Sequence, residues 1–175
     1  GSKDLGSHTV EGSRPGMAIL VHSGLHIIGR QGYELLIDQG INRAKHFADM
    51  IVADEDFELI SQPELNILTY RYLPADIQTA LTDAPSGLRS EVNSEVNYLT
   101  KRIQKIQRGL GRSFVSRTRL NPERYAREAV IVFRAVLANP LTTDDILLDM
   151  LTEQKEIAKR PEIQTILKQI RAMFC

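Results

Sequence analysis

An α+β fold, a small antiparallel sheet with helices packed on one face, is what the order of patterns along this sequence predicts. Two observations carry that prediction. Four short runs, FELIS at 57 to 61, LNILTYRYL at 65 to 73, SFVSRTRL at 113 to 120 and AVIVFRAVL at 129 to 137, read as strands. The segments around them repeat apolar residues every three or four positions, the spacing of a helix with one buried side. The order helix, helix, strand, strand, helix, strand, strand, helix, helix then favours one layer of sheet under one layer of helix.

Each element has its own signal. Residues 1 to 16 hold four glycines, three serines and one proline without periodicity, and read as an extended segment ending in a turn. From Met17 the apolar spacing becomes helical (Ile19, Leu20, Leu25, Ile27, Ile28), with Pro15 just ahead, where a first turn accepts proline. A pause is expected at Gly29 to Gly32. A second helix follows through Leu36, Ile41, Phe47 and Ile51 to about Asp54; Gly40 inside it costs about 1 kcal/mol relative to alanine. FELIS and LNILTYRYL are joined by QPE, a plausible turn, and 74 to 89 reads as turn-rich. A helix is predicted over about 91 to 110, carrying Val92, Val96, Leu99, Ile103 and Ile106 on one side. The third and fourth strands are joined by NPERYARE. A helix from Thr142 has Asp144 and Asp145 at its dipole-positive end, and a last one opens at Pro161.

Composition bounds the function classes. With 42% hydrophobic and 25% charged residues the chain can bury a core and is not intrinsically disordered. Its apolar runs fall well short of the roughly 20 residues of a membrane span. No charged, apolar and small-residue succession marks a signal peptide, and the single cysteine, Cys175, has no internal partner; these features favour a cytoplasmic protein without membrane attachment. The formal charge of zero conceals 7 Lys/Arg against 14 Asp/Glu in residues 1 to 100, and 15 against 8 in 101 to 175. Nine of those cations fall in 101 to 127 beside Glu123 alone, a run able to meet nucleic-acid phosphates. Phe114 and Tyr125, the aromatics within it, form no stacking pattern, so a solvated face or an intersubunit contact is the expected meaning and nucleic acid is not expected as a partner. His22 and His26, four apart on a helix, lack a third ligand, and no metal is expected.

Two groups of residues carry a family resemblance. In TVEGSRPGMAILVHSGLHIIGRQGYELLIDQ, residues 9 to 39, the pieces are Gly12, Ser13 and Arg14, a helix of fitting length, then Gly29, Gly32 and Tyr33. In VIVFRAVLANPLTTDDILLDMLTEQ, residues 130 to 154, they are Arg134 on a strand, then Asn139, Pro140, Thr142 and Asp145 opening a helix. With FELISQPELNILTYRY, these resemble the C-terminal portion of the group II pyridoxal-phosphate-dependent amino-acid decarboxylases, glutamate and aspartate type, over about residues 4 to 158.

The resemblance implies a fold-type I enzyme working as a homodimer, with residues 1 to 54 ending its large cofactor-binding domain and 55 to 175 forming its small C-terminal α+β domain. It implies pyridoxal 5'-phosphate held by a lysine that directly follows a histidine. None of the seven lysines here is preceded by His, so that lysine is expected upstream and this segment alone is expected to be inactive, with no catalytic residue of its own. Decarboxylation requires the bond to the departing carboxylate to be held perpendicular to the cofactor ring, and a planar, permanently charged guanidinium suits that task.

By resemblance Arg14 and Arg134 take the positions of arginines that bind substrate carboxylates. The competing meaning of Arg14 is a helix-start or subunit-interface ion pair. Arg134 interrupts the run AVIVF.AVLA, where an unpaired buried charge would cost roughly 3 to 5 kcal/mol; its competing meaning is an ordinary edge-strand arginine. The implied substrate is an acidic amino acid, glutamate or aspartate, rather than an aromatic one. The alternative is a freestanding α+β binding or oligomerisation module without catalysis.

Overall fold

The computed structural model describes residues 16–174. The chain is α+β and divides into two compact units, Gly1–Leu36 and Ile37–Cys175.

Within the first unit, helix α1, Ala18–Ala53, begins and then breaks at Gly29, whose φ of 67° and ψ of 176° lie in a region essentially reserved for glycine. The expected pause is therefore one residue long, and the helix resumes at once. Beyond the break Arg30 Nε donates to Glu34 at 2.7 Å, an i,i+4 pair on an exposed face. His22 and His26 meet edge to face at 4.3 Å between ring centroids. Among the described residues no group of three His, Cys, Asp or Glu is placed to hold a metal ion.

The second unit holds the rest of α1, then β1 (Phe57–Ser61), β2 (Ile67–Tyr72), α2 (Ala75–Asp83), α3 (Ser86–Leu110), β3 (Ser116–Leu120), a 3-10 turn (Glu123–Tyr125), β4 (Val130–Val136), α4 (Asp144–Ala158) and α5 (Pro161–Ala172). The four strands form one antiparallel sheet in the order β1-β2-β4-β3. Its register pairs Phe57 with Tyr72, Tyr70 with Phe133, and Ser116 with Arg134. None of the described helices is long and apolar enough to cross a membrane.

The core lies where the periodicity puts it. Tyr70, fully buried at the centre of β2, meets Phe47 of α1 at 5.7 Å, Phe57 at 6.0 Å and Phe133 at 5.3 Å between ring centroids. Such tilted and edge-on arrangements add about 1 kcal/mol per pair beyond area burial. Helix α3 packs across β4 and against α4 and α5, burying Val92, Val96, Leu99 and Ile103 together with Ile163, Ile166 and Ile170. Gly40 explains its own helix penalty: a Cβ there would sit 3.1 Å from the Leu137 carbonyl oxygen and 3.4 Å from Asn66 Cβ. Close packing of α1 onto the β4 exit outweighs the propensity cost.

The stretch expected to be turn-rich, 74 to 89, contains α2 and the first turn of α3. Pro74 and Pro85 stand at the N-caps of these helices, where their missing N–H costs nothing. Ile77 and Leu81, four apart, supply the buried side of α2.

Candidate functional site

Strand β4 alternates: Phe133 and Ala135 are buried, Arg134 and Val136 exposed. The charge that interrupts the apolar run thus stands on the exposed phase of the strand. This corrects the expectation of a buried arginine, because within this chain Arg134 carries no burial penalty that a partner must offset. Its Nε donates to the Ser116 hydroxyl at 3.1 Å, and that hydroxyl donates in turn to the Arg134 carbonyl at 2.9 Å.

Arg134 lines a groove of about 500 Å³ with Ser116, Arg112, Phe114, Thr142 and Ile146. The wall contributed by α4 is set by local chemistry. Arg43 of α1 donates to the carbonyls of Asn139 and Pro140 at 3.2 and 3.1 Å, and Asn139 Oδ1 accepts from the Leu141 N–H at 3.0 Å. The NP turn is thereby pinned. Thr143 then caps α4, its side chain accepting from the Ile146 N–H at 3.5 Å.

The two guanidinium groups of the groove differ. Arg112 pairs with Glu153 and Glu156, each at 3.3 Å. Arg134 has no carboxylate partner among the described residues, so it is the groove's uncompensated cation. Behind Arg112 a polar chain runs into the core: Gln154 donates to the Tyr70 hydroxyl and to Gln107, both at 3.1 Å. Gln107 donates to Ser113 at 2.7 Å, and Ser113 donates to Glu153. Burial pushes the Tyr70 hydroxyl well above the ordinary tyrosine range, so it stays protonated. What this arrangement can do chemically is bind an anion of carboxylate size at Arg134.

Arg14, the other arginine expected in the site, lies outside the described residues, as does Cys175. The groove offers nothing to a pyridoxal aldehyde, since no lysine lines it. Lys155 is held as an ammonium by Asp54 at 3.0 Å and Asp56 at 3.1 Å, with its pKa raised mainly by the Asp54 hydrogen bond. A lysine so paired is a poor amine nucleophile.

A buried ionic cluster went unrecognised in the sequence. Arg71 of β2, fully buried, donates from Nε to Glu58 at 2.5 Å, from Nη1 to Asn93 at 3.2 Å and from Nη2 to the Tyr125 hydroxyl at 2.5 Å. Tyr125 donates to Glu58 at 2.5 Å, and Arg124 reaches the same carboxylate at 3.2 Å. Burial, ahead of the neighbouring charges, pushes the Tyr125 hydroxyl up to about 12. The register places Glu58 opposite Arg71 only across a shift between Leu59 and Ser61, which turn length alone does not reveal.

Comparison with known proteins now bears on this geometry. Aspartate 1-decarboxylase of Aliivibrio fischeri is 56% identical to the chain over 171 residues, which are 97% of the chain and 31% of that protein. The aromatic-L-amino-acid decarboxylase of Bacillus atrophaeus is 25% identical over 93% of the chain and 30% of its own length. Mouse CSAD in apo form superposes with a TM-score of 0.68 at 19% identity, covering 88% of the chain and 30% of the mouse protein. Its structural neighbours are group II pyridoxal-phosphate-dependent amino-acid decarboxylases, and the chain is similar to part of such enzymes.

The α+β reading and the family resemblance drawn from the sequence both hold. The fold is also that of the glutamate decarboxylase domain of diaminobutyrate-pyruvate transaminase and L-2,4-diaminobutyrate decarboxylase from Vibrio parahaemolyticus, with a TM-score of 0.61 at 17% identity over 81% of the chain and 25% of that structure. No protein-family model matches the chain. The chain spans about a third of the length of the curated decarboxylases it matches.

Proposed function

We propose that the complete protein is a cytoplasmic, homodimeric, pyridoxal-phosphate-dependent α-decarboxylase of an acidic amino acid. In this reading Arg134 binds a substrate carboxylate and Arg14 converges on the same ligand. The observation that carries it is the groove beside β4, where Arg134 alone of the two lining arginines lacks a carboxylate partner among the described residues. A fixed cation in a groove of hydroxyls and apolar walls suits a small anion.

L-Aspartate, giving β-alanine and carbon dioxide, is favoured over L-glutamate by the 56% identity to the Aliivibrio aspartate 1-decarboxylase. That likeness to part of a longer enzyme also weighs against a freestanding binding module. The groove does not fit the cofactor's aldehyde, so we assign the lysine that holds the cofactor, and the catalytic step itself, to residues outside this chain. On this reading the chain is inactive alone, residues 1 to 54 end the large domain and 55 to 175 form the small one.

The test is product analysis of the full-length protein supplied with L-aspartate, L-glutamate or L-tyrosine, with and without pyridoxal phosphate. Cofactor-dependent release of carbon dioxide and β-alanine is the expected result. Turnover of the aromatic substrate alone, or of none, overturns it.

A further inference from the structure

We propose that Ser116 is a positioning residue, which sets the Arg134 guanidinium so that its outer edge faces an incoming carboxylate. The inference rests on the reading of Arg134 as a carboxylate ligand and deepens it. Ser116 and Arg134 are direct partners across β3 and β4, so the hydroxyl stands at a fixed place beside the arginine stem.

Both capacities of the hydroxyl are committed to Arg134. Its proton goes to the Arg134 carbonyl at 2.9 Å, which turns a lone pair toward Nε, 3.1 Å away. A guanidinium presents its N–H donors in a rigid plane, so engaging Nε fixes the orientation of that plane. Among the described residues the terminal Nη1 and Nη2 groups have no hydrogen-bond partner, and these are the donors a carboxylate takes in bidentate fashion. A ligand meeting an arginine already held at Nε finds fewer side-chain rotations left to freeze. Arg112 cannot substitute, because Glu153 and Glu156 occupy it.

Loss of the hydroxyl therefore acts on ligand binding, through Arg134, and not on the chemical step. The experiment compares full-length wild type, Ser116→Ala, Ser116→Thr and Arg134→Lys in steady-state kinetics with L-aspartate, and in calorimetric binding of succinate as a dicarboxylate probe. In Ser116→Ala we expect KM and the succinate Kd to rise about fivefold, the loss of one hydrogen bond, while kcat changes less than about twofold. Ser116→Thr keeps the hydroxyl on a strand that accepts a β-branched residue, and both constants return to within about twofold of wild type.

Three results overturn the proposal. If Arg134→Lys behaves as wild type, the reading of Arg134 falls and Ser116 with it. If Arg134→Lys is impaired while Ser116→Ala is not, the role of Ser116 alone falls. If Ser116→Thr is as impaired as Ser116→Ala, or kcat collapses together with the melting temperature, the hydroxyl is serving the sheet and not Arg134.

Discussion

Glu58 and Arg71 stand directly opposite each other on β1 and β2, with Oε2 and Nε 2.5 Å apart and the arginine side chain wholly buried. Cross-strand charge pairs on an exposed sheet contribute little, but removing one partner of a largely buried pair leaves the other charge poorly compensated. Asn93 and Tyr125 occupy further Arg71 donors, which ties α3 and the 3-10 turn to the β1–β2 hairpin.

Removal of the cation should therefore be costly. Arg71→Leu leaves Glu58, only 13% exposed at its side chain, with the half-exposed Arg124 as its remaining cation, and we expect a loss of about 3 kcal/mol. Tyr125→Phe removes two hydrogen bonds from the cluster and should cost about 2 kcal/mol. Urea denaturation of each variant in the full-length protein measures both. A change under about 0.5 kcal/mol for Arg71→Leu would show the pair to be dispensable.

Gly40→Ala separates propensity from packing. On an isolated helix the change gains about 1 kcal/mol. Here the new methyl meets the Leu137 carbonyl at 3.1 Å, and that residue is itself anchored through its N–H to the Asn66 carbonyl at 2.8 Å. The neighbour cannot withdraw without breaking a backbone bond, so we expect net destabilisation of about 1 kcal/mol. A raised melting temperature in this variant would contradict the close approach.

The ion pair of Asp76 with Arg171 joins α2 to α5, with Nε to Oδ2 at 2.5 Å and Nη2 to Oδ1 at 3.2 Å. Chiefly through that hydrogen bond, the Asp76 carboxyl titrates below its ordinary value of 3.8. A carboxyl whose folded pKa is depressed stabilises the fold above its unfolded pKa, and the contribution disappears as pH falls through the folded one. Asp76→Asn should therefore be less stable than wild type at pH 6, with the gap closing below about pH 4. Denaturation curves at pH 6 and pH 3 check this, and a gap that widens in acid would reverse the sign.

Much of the fold was legible because local and tertiary preferences agree. FELIS is a strand at its expected limits, α5 opens at Pro161, and the pause at the GRQG sequence is the Gly29 break. Helix α2 was hidden because Pro74, Pro85 and Gly87 read as turn residues, although the prolines occupy helix entrances, where they are tolerated. Ile77 and Leu81 were too few to announce a helix by period alone. Arg134 is singled out by resemblance alone, and its exposure is not legible in the sequence, since a continuous apolar run conceals which phase of a strand faces outward. Ser116 carries no sequence signal of its own. Its role depends on β3 lying beside β4 in a register that pattern alone does not fix.

The most direct test of the account is kcat/KM of the full-length protein for L-aspartate in wild type and Arg134→Lys. Lysine keeps the charge but loses the planar fork, so a carboxylate bound at this position predicts a fall of about a hundredfold. A ratio within about twofold of wild type would mean that no substrate carboxylate is held at Arg134.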